Sequence, residues 1–326
     1  MVARGSTPCG FRSLRAKAKE TFVRIFLLAM DHRDSLERDV YGLTAPPTPE
    51  QTAAIEHGKS LVFDGLLAAI TEGADAASAG VLVDELFGAQ VARLARERGV
   101  DLAMPIEKSG QKFFTLQYGT LASDEWLEHV AAFDPDQVKV LVRDNPDDDP
   151  LERVKQFDDL AVVSARLAAQ KRTFMVELLV PASDAQLASV GGDVYRYDRD
   201  VRPALTVRVM TEFQRRGVEP DIWKIEGLET TAAAEDIVRA ARQGGRDHVS
   251  CIVLGRDAPV DRLDHWLTIA APIDGFIGFA IGRSIWEQPL RDQLAGGSEA
   301  ELVAAVSRNY RHFADTYAAA SVLPRE

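Results

Sequence analysis

Two charged residues sit where the chain otherwise reads as buried strand. Lys224 lies inside Ile222-Trp223-Lys224-Ile225, and Glu177 is flanked by Met175, Val176, Leu178 and Leu179. A buried ammonium or carboxylate without a partner is costly enough to need an ion pair or a chemical role. The plain alternative for Lys224 is a salt bridge to Glu226 or Glu177. The chemical one is a nucleophile: a lysine in a pocket beside other cations has its pKa lowered, and the neutral amine can then attack a ketone to form a Schiff base. The iminium is an electron sink, so a carboxylate such as Glu177 can take the hydroxyl proton whose loss drives carbon–carbon cleavage. Gly255-Arg256 and Gly282-Arg283 form a second group. Glycine lets a backbone approach a ligand, and arginine offers a planar charged fork suited to phosphate or carboxylate.

These residues need a scaffold that brings distant segments together. Eight short apolar runs recur: VRIFLLAM from Val23, AGVLVD from Ala79, DLAMPIE from Asp101, VKVLVR from Val138, TFMVELLV from Thr173, DIWKIEG from Asp221, SCIVLG from Ser250 and GFIGFAIG from Gly275. Stretches with helical apolar spacing lie between them, for example residues 88–98 and 232–242. Strand alternating with helix implies parallel βαβ units, and continuous apolar runs fit strands covered on both faces. Eight is the number that closes a (β/α)8 barrel, with a doubly wound open sheet as the competing architecture. We expect an α/β fold of one barrel domain over residues 23–326 after an N-terminal extension, residues 1–22, whose residues 13–22 read as a surface helix or frayed start. Pro47 and Pro49 predict a helix start within the long first connection. The loop after strand five, with Gly191-Gly192 and Tyr195/Tyr197, predicts a structured flap near the barrel mouth.

In a barrel the C-terminal strand ends build the active site. Here they read Asp31-His32-Arg33, Asp84-Glu85, Glu107-Lys108, Arg143, Glu177, Lys224 with Glu226, Gly255-Arg256 and Gly282-Arg283. Asp84, Glu85 and Asp34, taken singly, read as loop residues or helix caps. The successive Gly-Arg pairs on strands seven and eight match the place where barrels commonly hold a phosphate.

Composition narrows the classes. The chain has 326 residues, 46% hydrophobic and 27% charged, enough for one large core. A formal net charge of -12 argues against nucleic-acid binding. Two cysteines, Cys9 and Cys251, give neither a disulfide framework nor a zinc site. No signal peptide and no membrane span is expected, so a cytoplasmic location is the default. Of the six histidines only His32 falls at a strand end, whereas metal-dependent aldol chemistry would want several facing inward. No metal and no cofactor are therefore expected, and neither GxGxxG nor a Walker loop suggests a nucleotide.

At MDHRD, LVDELFG, MPIEKSG, KVLVRDNP, MVELLVP, DIWKIEG and GFAIGRSIW the sequence resembles a bacterial barrel family whose members occur alone or fused to 5-dehydro-2-deoxygluconokinase of inositol catabolism. More distantly it is similar to class I tagatose-1,6-bisphosphate aldolase and the sulfosugar-phosphate aldolases. The match runs from Phe22 to about Tyr317. The resemblance implies a lyase in carbohydrate metabolism, with Lys224 as the Schiff-base lysine, Glu177 as the catalytic glutamate, Lys108 as a second active-site lysine, Asp31 as the strand-one acid and Arg283 as the phosphate arginine. Gly282, Gly255, Arg256, Arg143, Glu107 and Glu226 complete the expected binding set. The chain departs from tagatose-bisphosphate aldolase at Gly255-Arg256 and Arg143-Asp144-Asn145-Pro146, and the added arginines would suit a carboxylate besides a phosphate. The expected substrate is 6-phospho-5-dehydro-2-deoxy-D-gluconate, cleaved to dihydroxyacetone phosphate and malonate semialdehyde. Alternatives are a ketose bisphosphate and a non-catalytic sugar-phosphate-binding barrel that regulates a kinase. The expected partner is a small-molecule sugar phosphate; a functional link to a sugar-acid kinase is implied, and homo-oligomer formation is left open.

Overall fold

The computed structural model describes residues 24–322; the proposed N-terminal extension and Cys9 lie outside them. Eight parallel strands close on themselves in sequence order: β1 (Ile25–Ala29), β2 (Ala79–Leu82), β3 (Asp101–Pro105), β4 (Gln137–Arg143), β5 (Thr173–Leu179), β6 (Ile222–Glu226), β7 (Ser250–Leu254) and β8 (Phe276–Ile281). Each falls within one of the eight apolar runs or overlaps all but its edges. The open-sheet alternative is excluded, because β1 pairs with both β2 and β8.

The connections form α1 (Asp34–Asp39), α2 (Pro49–Thr71), α3 (Glu85–Arg98), α4 (Glu125–Phe133), α5 (Pro150–Ala169), α6 (Asp184–Ser189), α7 (Val194–Arg196), α8 (Arg202–Arg215), α9 (Thr231–Arg242), α10 (Val260–Ala270), α11 (Arg283–Leu294) and α12 (Glu299–Ala320). Helix α2 begins where the prolines indicate: Pro49 takes the first helical position and Thr48 forms a capping box with Gln51. Asp84 caps α3 by accepting from Phe87 N, in line with its plain reading. The flap after β5 is ordered, as α6, α7 and a π-helical turn over Tyr197–Val201.

The strand residues divide by parity. One set packs outward under the helices; the other fills the barrel interior with Leu27, Ala29, Leu82, Ala103, Met175, Ile222, Ile252 and Ala280. Above that apolar plug the inward positions turn polar. Register fixes which ones meet, since Glu177 pairs across with Lys224, while Lys139 lies level with Met175. Three side chains from outside brace the first strand and its neighbour: Trp286 donates to Ala29 O, Tyr310 to Phe26 O and Tyr317 to Phe276 O.

Candidate active site

The polar layer at the C-terminal end of the barrel is one ammonium–carboxylate cluster. Lys139 Nζ lies 2.8 Å from Asp31 Oδ2, 2.9 Å from Glu107 Oε1 and 2.7 Å from Glu177 Oε2. Lys224 Nζ lies 2.8 Å from Glu177 Oε1. Glu177 thus bridges the two lysines, one on each oxygen. All five residues are buried, yet Asp31, Glu107, Lys139, Glu177 and Lys224 line a cavity of about 380 Å³ that opens at the barrel mouth. That volume suits a small metabolite.

Charge in the cluster is set by competition. Burial alone would raise the pKa of Glu177, but Lys139 and Lys224 outweigh it and hold the carboxyl below its ordinary value. Asp31 behaves likewise, pulled well below the carboxylate range by Lys139, Lys224 and His32 against burial. Lys139 is disfavoured by burial but held far above the ordinary lysine value by Asp31, Glu107 and Glu177. It is a fixed cation. Burial, with Arg283, Lys59 and Lys224 nearby, outweighs Asp31 and pushes His32 down to about 4, so its imidazole is neutral near pH 7.

Lys139 did not figure among the sequence candidates. The signal was present, because Lys139 interrupts Val138-Lys139-Val140 as Lys224 interrupts its own strand. Lys108 is placed differently from the cluster: it is exposed and lines the rim of the cavity. Asp31 is held from behind by a residue that pattern reading also passed over. Lys59, buried on α2, donates to Met30 O at 2.8 Å and His32 O at 3.0 Å and pairs with Asp84, clamping the backbone on both sides of Asp31. Arg33, also buried, donates to Glu107 O at 2.8 Å and so ties β1 to the end of β3.

The arginines occupy three situations. Arg143 lines the cavity with its guanidinium bonded to a neutral acceptor, Gln111 O, at 3.2 Å. Arg256 lines it too, but its fork is engaged by Asp198 at 2.8 Å and Glu226 at 2.6 Å. Glu226 also accepts from Val180 N, so it serves as a strut between β5 and β7. Asp198 is the buried hub of the flap, holding Arg202 and Arg262 besides Arg256. Arg283 is met by Asp257 at 3.0 Å, with Glu287 and Asp39 at 3.7 and 3.8 Å. Arg256 and Asp257 have φ of 46° and 52°, left-handed values for two successive non-glycine residues. Such conformations cost on the order of 1–3 kcal/mol each, whereas a half-exposed ion pair returns ~1 kcal/mol at most. Arg256 is anchored in this conformation by buried Asp198 and Glu226, whereas the strain at Asp257 is not offset by its exposed pair with Arg283.

The two glycines differ from expectation in what needs them. A Cβ on Gly282 would lie 2.5 Å from Ala29 O and 3.1 Å from His32 Cε1, so this glycine makes room for the protein's own first strand. At Gly255 a Cβ would meet neighbours no closer than 3.3 Å. Both residues line the cavity. Among the described residues no group of three or more His, Cys, Asp and Glu side chains is arranged to hold a metal ion. No helix among them is long and apolar enough to cross a membrane.

Residues 13–321 match a family described as uncharacterized proteins conserved in bacteria (DUF2090). The chain belongs to that family. No curated protein matches it. Among solved structures it is similar to a Schiff-base-forming fructose-1,6-bisphosphate aldolase (16% identity, 87% of this chain and 93% of that one, TM-score 0.52). It is also similar to an archaeal fructose-1,6-bisphosphate aldolase with its catalytic lysine bound to a carbinolamine intermediate (16%, 92% and 97%, TM-score 0.55). A third is the fructose-bisphosphate aldolase of Plasmodium falciparum (12%, 92% and 91%, TM-score 0.62). At these identities the likeness is one of fold, the barrel on which those aldolases are built.

Proposed function

We propose that this DUF2090 protein is a class I aldolase that cleaves a phosphorylated keto sugar acid through a Schiff base on Lys224. The observation that carries the reading is the Lys224–Glu177–Lys139 bridge at the floor of the cavity. A Schiff-base lysine must give up its proton. Lys139 is held as a cation by three carboxylates, whereas Lys224 has Glu177 as its one ion-pair partner in the cluster. Lys224 is therefore the nucleophile and Lys139 the fixed charge.

For 6-phospho-5-dehydro-2-deoxy-D-gluconate, Lys224 Nζ attacks the C5 ketone, and loss of water gives the iminium. Glu177, kept ionised by Lys139, takes the C3 hydroxyl proton directly or through a water. The C3 oxygen closes to the aldehyde of malonate semialdehyde, which leaves as the C3–C4 bond breaks, and that bond's electron pair stays on C4 and passes into an enamine. Protonation at C4 and hydrolysis free dihydroxyacetone phosphate and restore the amine. Arg283 and the backbone at the start of α11 are suited to the phosphate. Arg143, with no carboxylate partner among the described residues, is better suited than Arg256 to the substrate carboxylate. On this reading the protein needs no metal and works in the cytoplasm, on the product of a sugar-acid kinase.

The test is kcat/KM with chelator present, on 6-phospho-5-dehydro-2-deoxygluconate and on tagatose 1,6-bisphosphate. A preference for the sugar acid is expected. Preference for the bisphosphate would overturn the substrate, activity lost on chelation and regained on zinc would overturn the metal-free mechanism, and no cleavage of either would favour a regulatory sugar-phosphate-binding barrel.

A further inference from the structure

We infer that Asp257 is a built-in counter-anion that occupies Arg283 until a phosphate displaces it, and so sets how strongly an anion must bind to enter the site. The inference rests on the proposed phosphate role of Arg283 and goes beyond it. Three observations carry it. Asp257 Oδ2 sits 3.0 Å from Arg283 Nη1, and both residues line the cavity, so the pair lies where a ligand would approach. The carboxylate is about half exposed, with side-chain accessibility of 52% against 22% for the arginine, so it can leave the guanidinium for water with little rearrangement. The backbone is left-handed at both Arg256 and Asp257; Arg256 is anchored there by buried Asp198 and Glu226, but at Asp257 the strain is not repaid by the exposed pair.

A contact that strains the chain without stabilising it has its explanation in the site. Arg283 faces Asp257 closely and Glu287 and Asp39 at longer range, an environment already rich in negative charge. An incoming anion must out-compete the nearest of these. A phosphate dianion, with two charges and three acceptor oxygens for one guanidinium fork, can do so where a lone carboxylate gains no advantage over Asp257. Asp257 thereby directs the two ends of a phosphorylated acid: phosphate to Arg283, carboxylate elsewhere.

The experiment is calorimetric titration of the full chain with inorganic phosphate at pH 8 and low ionic strength, for wild type, Asp257→Asn, Asp257→Gly and Arg283→Ala. Both Asp257 variants should bind phosphate at least fivefold more tightly than wild type, and Arg283→Ala should lose binding. Asp257→Gly should also raise Tm, because glycine relieves the left-handed φ; a purely structural ion pair would give a lower Tm and unchanged affinity. Unchanged or weaker phosphate binding in both Asp257 variants, with Arg283→Ala still deficient, would overturn this inference and leave the phosphate role of Arg283 standing. Undiminished binding in Arg283→Ala would overturn both.

Discussion

The floor and the rim of the cavity are both made of ion pairs, yet they are opposite in kind. On the floor, Lys139, Glu177 and Lys224 are buried on three strands, with Asp31 and Glu107 buried just past the ends of β1 and β3, and the backbone beside Asp31 is clamped from behind by Lys59. At the rim, Arg283 pairs with Asp257, a half-exposed carboxylate presented on left-handed backbone, while Arg256 beside it is anchored on buried Asp198 and Glu226. Buried pairs cannot reorganise cheaply, because separating them leaves an unpaired charge out of water. Exposed pairs exchange partners at little cost. On the proposed reading, fixed charge and bond-breaking chemistry belong to the floor and ligand exchange to the rim.

Removing the proposed nucleophile should produce the largest effect. Lys224→Met is expected to lower kcat by roughly four orders of magnitude or more, read by coupled assay of dihydroxyacetone phosphate, with phosphate binding at the rim retained. Glu177→Gln keeps the shape and removes the proposed base, for an expected loss of about 10²–10⁴-fold in kcat. A variant at either position that lost phosphate binding but kept turnover would reverse the assignment of floor and rim.

The fixed cation should show itself in stability. Lys139→Met leaves buried Asp31 without its ion-pair partner, while Glu177 keeps Lys224 and Glu107 keeps Arg33; it should cost about 3–5 kcal/mol in urea melts, whereas Arg283→Ala should change the melt by no more than about 1 kcal/mol. Equal destabilisation by the two would erase the contrast.

The sequence made part of this contrast legible. Lys224 and Glu177 stood out because apolar neighbours flank them, and the eight strands did because parallel strands are covered on both faces and leave continuous apolar runs. Lys139 satisfied the same criterion within Val138-Lys139-Val140, and only its inward parity, fixed by barrel register, separates it from a surface lysine. The commitments of Arg256 were not legible. Its partner Asp198 lies 58 residues away in the flap, and no local pattern pairs them. Lys59 was hidden for a related reason, since it sits on an outer helix and becomes buried through contacts with carbonyls of another segment.

Acid titration sharpens the comparison further. His32 has its folded pKa lowered from 6.5 to about 4, so it contributes stability that is complete above 6.5 and is lost as pH falls toward 4. The loss amounts to about 3 kcal/mol at most. Asp31 and Glu177 are also depressed, so their contribution is present above their ordinary values near 4 and disappears only below them. Lys139 is raised, and its contribution persists until the pH exceeds the ordinary lysine value of 10.5. Tm should decline from pH 6.5 to 4, and His32→Asn should flatten that first segment; an unchanged slope in the variant would remove His32 as its cause.

The smallest effects should come from the arginines. Arg143→Ala is expected to lower kcat/KM on the sugar acid about ten- to hundredfold, the value of one charge-assisted bond of roughly 1.5–3 kcal/mol, and to leave a substrate lacking the carboxylate unaffected. Arg256→Ala should impair both substrates alike, because it unties the flap from β6. The reverse pattern would transfer the carboxylate to Arg256.

The most direct test of the Schiff-base assignment is borohydride reduction of the protein in the presence of dihydroxyacetone phosphate, followed by peptide mapping in the mass spectrometer. The expected result is a single reduced adduct on Lys224, absent from Lys224→Met and still formed in Glu177→Gln. An adduct on Lys139 or Lys108, or none at all under conditions of turnover, would contradict it.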